Sequence, residues 1–183
     1  MDPTNQPGQA PEQGHAPSRE DAWSASARPM RLAGSVLHVS PLSQHVCAFF
    51  HSHEEEYRVL LLFIHEGIER GEKTFHIVDP TRRDAHLQRL AAAGIDTAAA
   101  QQRGQFELHT WTEAHLRDGY FDPDRMRALI EAVVTGARQH GFPRTRFITH
   151  MEWALEARGG VAAILEYEAK ANHAQLRDYD PVI

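Results

Sequence analysis

The chain has 183 residues, of which 42% are hydrophobic, enough for one domain with a real core and too little for a second full one. A formal charge of -6 with no basic run leaves nothing to hold a nucleic-acid backbone, so direct nucleic-acid binding is not expected. The single cysteine, Cys47, has no partner for an internal disulfide and stands in an apolar run rather than a paired metal spacing. A reducing, cytoplasmic setting is therefore expected, with no signal peptide and no membrane span, and no metal ligand is assigned.

Residues 1–30 hold half of the ten prolines, several glutamines and no apolar periodicity, which is the composition of a disordered leader. The domain itself is expected over residues 31–183. Its first piece, Arg31 to Leu37, reads as either a turn of helix or an edge strand. Four short apolar runs follow: His45 to Phe50, Thr74 to Asp79, Phe106 to Thr110 and Arg146 to His150. Helical stretches separate them. That alternation predicts a three-layer α/β domain, with a mostly parallel sheet of about five strands and helices on both faces.

The first helix starts at the capping box Ser52 to Glu55, presents Tyr57, Leu60, Leu61, Ile64 and Ile68 on one face, and stops at Gly71. A second helix follows Asp79-Pro80, with Leu87, Leu90 and Ala91 inward and Gly94 as its stop. Asp96 caps a short turn over Thr97 to Gln102. A long helix begins at Asp122-Pro123, carries the stripe Met126, Leu129, Ile130, Val133, Val134 and Ala137, and closes at Gly141 and Pro143. The last helix, about Gly160 to Leu176, makes its apolar contacts early, through Val161, Ile164 and Leu165. Asp180-Pro181-Val182-Ile183 reads as the first residues of a further strand, cut short.

Open parallel sheets place ligands at the carboxyl ends of their strands. The first such junction, H-V-C-A-F-F-H-S-H-E-E-E-Y from His45 to Tyr57, has none of the glycines, lysine or hydroxyl of a phosphate loop. Glu54, Glu55 and Glu56 in the first turn complement the helix dipole and repel a polyphosphate, so nucleotide hydrolysis by the usual route is rejected. The G-x-G-x-x-G signature of dinucleotide binding is also absent. Strand ends instead supply Phe50, His51 and His53, then Asp79, then Trp111, then His150, Glu152 and Trp153. Together these have the composition of an aromatic, mildly polar small-molecule pocket.

The string H-V-C-A-F-F-H-S-H-E-E-E-Y-R-V-L-L-L-F-I-H-E-G-I-E-R-G-E-K, then H-I-V-D-P, H-M-E-W-A-L and E-Y-E-A, resembles the MEDS domain, the methanogen/methylotroph sensory domain. The resemblance runs from about Leu32 to Ile183. It implies a RecA-like, Rossmann-like α/β fold without a working phosphate loop, used as a sensory or ligand-binding module. The family's H-x-C-x-F motif falls on His45, Cys47 and Phe49, its strand-end aspartate on Asp79, and its H-M-E-W segment on His150, Met151, Glu152 and Trp153. Members commonly continue through a further strand, and the 183 residues do not read as including a DNA-binding or kinase domain.

The expected ligand-binding set is therefore His45, Cys47, Phe50, His51, His53, Asp79, Trp111, His150, Glu152 and Trp153. The expected function is sensing: a small organic ligand or a regulatory protein partner binds over the strand ends and biases a flanking loop, with Met151 to Arg158 and Trp111 to Phe121 the longest candidates. No cofactor is named, and a homo-oligomer is compatible with the sequence. An enzyme would use Glu152 as base and His150 as acid or metal ligand, yet no nucleophile stands beside them, so no catalytic residue is assigned. An adaptor without a ligand would instead expose an apolar patch around Val59 and Leu62.

Overall fold

The computed structural model describes residues 30–32, 35–37, 48–155, 161–170 and 181–182. Two short strands, β1 (Met30–Leu32) and β2 (Ser35–Leu37), pair antiparallel as a hairpin. The piece read as helix or strand is thus strand, and β1 lies against the first helix. Residues 1–29, which include most of the expected leader, fall outside the described residues.

Helix α1 (His53–Glu69) begins where Ser52 accepts a hydrogen bond from the Glu55 amide at 3.2 Å. The reciprocal contact of the box goes one residue further back, from the His51 amide to Glu55 Oε2 at 2.9 Å. Gly71, in the left-handed region at φ 69°, turns the chain into β3 (Lys73–Val78). Every residue of β3 is buried, as in a strand paired on both edges and covered on both faces. Asp79 then caps a 3₁₀ turn (Pro80–Arg82) that leads into α2 (Arg83–Ala92), and Asp96 caps α3 (Thr97–Gln102). Next come β4 (Phe106–Thr110), α4 (Pro123–Gln139) with Asp122 as its cap, and β5 (Thr145–Thr149). A 3₁₀ turn (Glu152–Leu155), α5 (Val161–Lys170) and β6 (Pro181–Val182) complete the described elements.

The sheet runs β4-β3-β5-β6, parallel throughout, so it has four strands among the described residues where about five were expected. The run His45 to Phe50 is the remaining predicted strand. Its first three residues lie outside the described residues, and Ala48 to Phe50 form no strand, with Phe49 95% exposed. Phe63 and Ile64 of α1, Leu90 of α2 and Ala100 of α3 cover one face with Val78, Phe106, Leu108 and Ile148. Met126, Ile130 and Val134 of α4 and Ile164 of α5 cover the other with Phe75, Ile77 and Phe147. The three layers are as the alternation predicts. Two inward positions are corrected: Ala91 faces solvent, because His86 and Leu90, one turn apart, take the buried side of α2, and Leu165 is exposed while Ile164 turns in.

The end of the sheet opposite the carboxyl edge is tied by Arg146. Fully buried, its guanidinium meets Glu72, reaches the Phe63 carbonyl at 2.7 Å and Glu66 at 3.2 Å, and lies 4.5 Å from the Phe63 ring centre. A buried cation needs such partners, because desolvation without them costs several kcal/mol. Gly67 makes room for it: a Cβ there would come within 2.8 Å of Arg146 Cδ.

Candidate functional site

The carboxyl ends of β3, β4 and β5 deliver side chains to both faces of the sheet. Successive residues of a strand point to opposite sides. Arg146 and Ile148 therefore face α1 and His150 follows them, whereas Phe147, Thr149 and Met151 go with α4.

On the α1 face, Glu56 is the centre of a polar network. Its carboxylate lies 3.0 Å from His150 Nε2, 3.1 Å from Arg82 and 3.2 Å from His53 Nδ1. Arg82 extends its other nitrogen to Glu152 at 2.7 Å, so one guanidinium bridges two carboxylates. Burial raises the Glu56 pKa, but the neighbouring His150 ring and Arg82 guanidinium more than reverse this and hold it at about 2. Donor atoms of His53, Glu56 and Glu152 lie within 4.8 Å of one another, the arrangement here that could accept a cation.

Beneath this network runs a buried chain of rings. Tyr57 Oη is 2.7 Å from His86 Nδ1, and His86 Nε2 is 2.9 Å from His76 Nδ1. Each neutral ring carries one N–H, so the chain is polarised from one end to the other. Burial pushes His76 well below the ordinary imidazole range and His86 to about 4, and it raises Tyr57 to about 12. Arg89 stacks 4.6 Å from the Tyr57 ring centre and closes that end.

On the α4 face there is a cavity of about 20 Å³, room for a water-sized molecule. Phe121, Phe147, Met126, Met151, Thr149 and Tyr167 contribute to its wall, together with His115. His115 is 4% exposed, its ring packs 5.3 Å from Trp153, and burial lowers its pKa to about 4. Neither of its nitrogens has a hydrogen-bond partner among the described residues. Buried polar groups are nearly always paired, so this ring is conspicuous.

A family model described as the methanogen/methylotroph, DcmR sensory domain matches residues 44–182. The chain belongs to the MEDS family. MEDS is a family of sensory domains, so the coarse role of this chain is sensory signalling. No curated protein and no solved structure matches it. No helix among the described residues is long and apolar enough to cross a membrane.

In this MEDS domain the expected ligand-binding residues do not form one pocket. His53, His150 and Glu152 come together around Glu56 and Arg82. Trp153 lies on the other face, buried between His115 and Phe121. Trp111 is half-buried against the same core. Asp79 spends its carboxylate on the Thr81 amide and hydroxyl, both at 2.7 Å. His51 is exposed, and Phe50 is half-buried beside it. His45 and Cys47 lie outside the described residues. The adaptor patch is only partly open: Leu62 is exposed and Val59 half-buried.

Glu56, Tyr57, His76, Arg82, His86 and His115 complete the two sites without having been singled out as ligands. Glu56 does stand in the acidic first turn of its helix, and beyond that reading its carboxylate is buried against Arg82 and the His150 ring. For His86 a signal exists, four residues before Leu90 on the inward face of its helix. His76 likewise alternates with Thr74 and Val78 along β3. Nothing local marks Arg82 or His115.

Proposed function

We propose that this domain senses a small organic molecule at the carboxyl edge of the sheet, in the cavity between β5, α4 and α5, and reports its presence to a regulatory partner that controls transcription or signalling. The observation that carries this reading is His115, a buried imidazole with both nitrogens unpartnered among the described residues, in the wall of a cavity. A guest with one hydrogen-bonding group would satisfy it, while Phe121, Phe147, Tyr167 and the thioethers of Met126 and Met151 would enclose an apolar body. The ring enters as the neutral form, which both donates and accepts.

The cavity's size gives the reading its switch. Ligand pockets for drug-sized molecules occupy roughly 300–1,000 Å³, so a guest of any size must widen this one and thereby select a second arrangement of its walls. Such differential affinity is what a sensor requires. Turnover is not needed: His150 is buried and in contact with Glu56, and Glu152 is held by Arg82. Native mass spectrometry of gently purified protein, followed by thermal-shift screening of small organic compounds, tests the reading. A retained or stabilising compound is expected, with its effect abolished in His115→Phe. A compound that stabilises His115→Phe equally well would remove the cavity from consideration.

A further inference from the structure

On the opposite face, we propose that His53, Glu56, His150 and Glu152 form a binding site for a first-row divalent transition-metal ion such as Zn²⁺, with Arg82 serving as the resident cation that the metal exchanges with. The donors come from two segments that the fold joins, the first turn of α1 and the chain just beyond β5. They combine two imidazoles with two carboxylates, a set that suits zinc or manganese and offers little to magnesium, which prefers oxygen and keeps its waters.

Three observations converge. Donor atoms of His53, Glu56 and Glu152 already lie within 4.8 Å of one another. The contacts His150 Nε2 to Glu56 Oε1 and His53 Nδ1 to Glu56 Oε2 are 3.0 and 3.2 Å. Donors bound to one ion at about 2.1 Å stand about 3.0 Å apart at right angles and about 3.4 Å apart at the tetrahedral angle of zinc, so these edges fall within the range of a shared ion. Finally, His150 is 4% exposed, its Nε2 points into the cluster and meets only the Glu56 carboxylate, at 3.0 Å, and its Nδ1 has no hydrogen-bond partner among the described residues. A buried imidazole with so few partners is costly, and an ion shared by Nε2 and Glu56 would take the place of their direct contact.

Arg82 supplies the logic of exchange. With it in place, two carboxylates share one positive charge. A divalent ion neutralises both carboxylates and releases the guanidinium, which stands on the 3₁₀ turn leading into α2. Metal uptake thus frees the start of the element that carries His86. The site is reachable, because His53 and Glu152 lie at the surface.

The test is titration of the chelator-stripped full chain with ZnCl₂, read by calorimetry and native mass spectrometry. One ion per chain is expected. Glu152→Gln and His53→Ala, both at exposed positions that the fold does not need, should each weaken binding tenfold or more. Arg82→Gln, by removing the competing cation, should tighten it tenfold or more, and Arg82→Lys should fall between that variant and the parent. His115→Phe, on the other face, should leave it unchanged, which keeps this result separate from the small-molecule test. Absence of stoichiometric uptake overturns the proposal. So does zinc binding that survives both Glu152→Gln and His53→Ala, since other members of the thirteen histidines would then be responsible. Weaker binding by Arg82→Gln overturns the exchange.

Discussion

Two glycines show how much a single hydrogen can matter. At Gly67 a methyl group would collide with Arg146, whose side chain is held by Glu72, Glu66 and the Phe63 carbonyl and cannot step aside. Gly67→Ala gains about 1 kcal/mol of helix propensity, yet overpacking costs about 1–3 kcal/mol, so a net loss is expected in urea unfolding. Gly136 in α4 has open space around it, and Gly136→Ala should raise stability by about 0.4–1 kcal/mol in the same assay. His115 gives a pH signature. Its folded pKa, about 4, lies below the unfolded value near 6.5, so the unfolded chain takes up the proton first. Its contribution is complete above pH 6.5 and lost as pH falls toward 4. The pH slope of the unfolding free energy over that window should be shallower in His115→Phe. Residue identity also limited what could be read locally. Glu56 looks like any acidic residue in a first turn, and only partners 26 and 94 positions away, Arg82 and His150, make it the hub of a site.

At the level of elements, the sequence was most legible where the signal is local. Ser52, Asp96 and Asp122-Pro123 begin their helices as read, and Gly71, Gly94 and Gly141 adopt the left-handed turns that end them. Cap chemistry involves residues two or three apart, so it survives without tertiary knowledge. Ser52→Ala removes the acceptor of the Glu55 amide and should cost about 1 kcal/mol, detectable as faster amide exchange in the first turn of α1. Burial of helix faces was less legible. Ala91 and Leu165 read as inward because apolar periodicity ignores polar residues with buried partners, and in α2 His86 claims the place through Tyr57 and His76.

For the whole molecule, the alternation of strands and helices carried the three layers correctly, because βαβ connectivity leaves few other ways to cover a parallel sheet. It did not carry the division of the carboxyl edge into a charged network on one side and a cavity on the other. That division depends on which way His150 and Met151 point, a matter of register that composition does not reveal. β3 has neighbours on both edges and is buried along its whole length. Its amides should therefore exchange only with global unfolding, slower than those of β4, and hydrogen-exchange mass spectrometry would rank the strands.

The tripeptide Thr149-His150-Met151 stands astride the sheet, its middle amide pinned to the Ile77 carbonyl at 2.8 Å. Because successive side chains leave the chain on opposite faces, Met151 stands in the cavity wall while the His150 imidazole lies against Glu56. A guest of the kind proposed for that cavity would sit one residue's length of chain from the charged network behind the sheet.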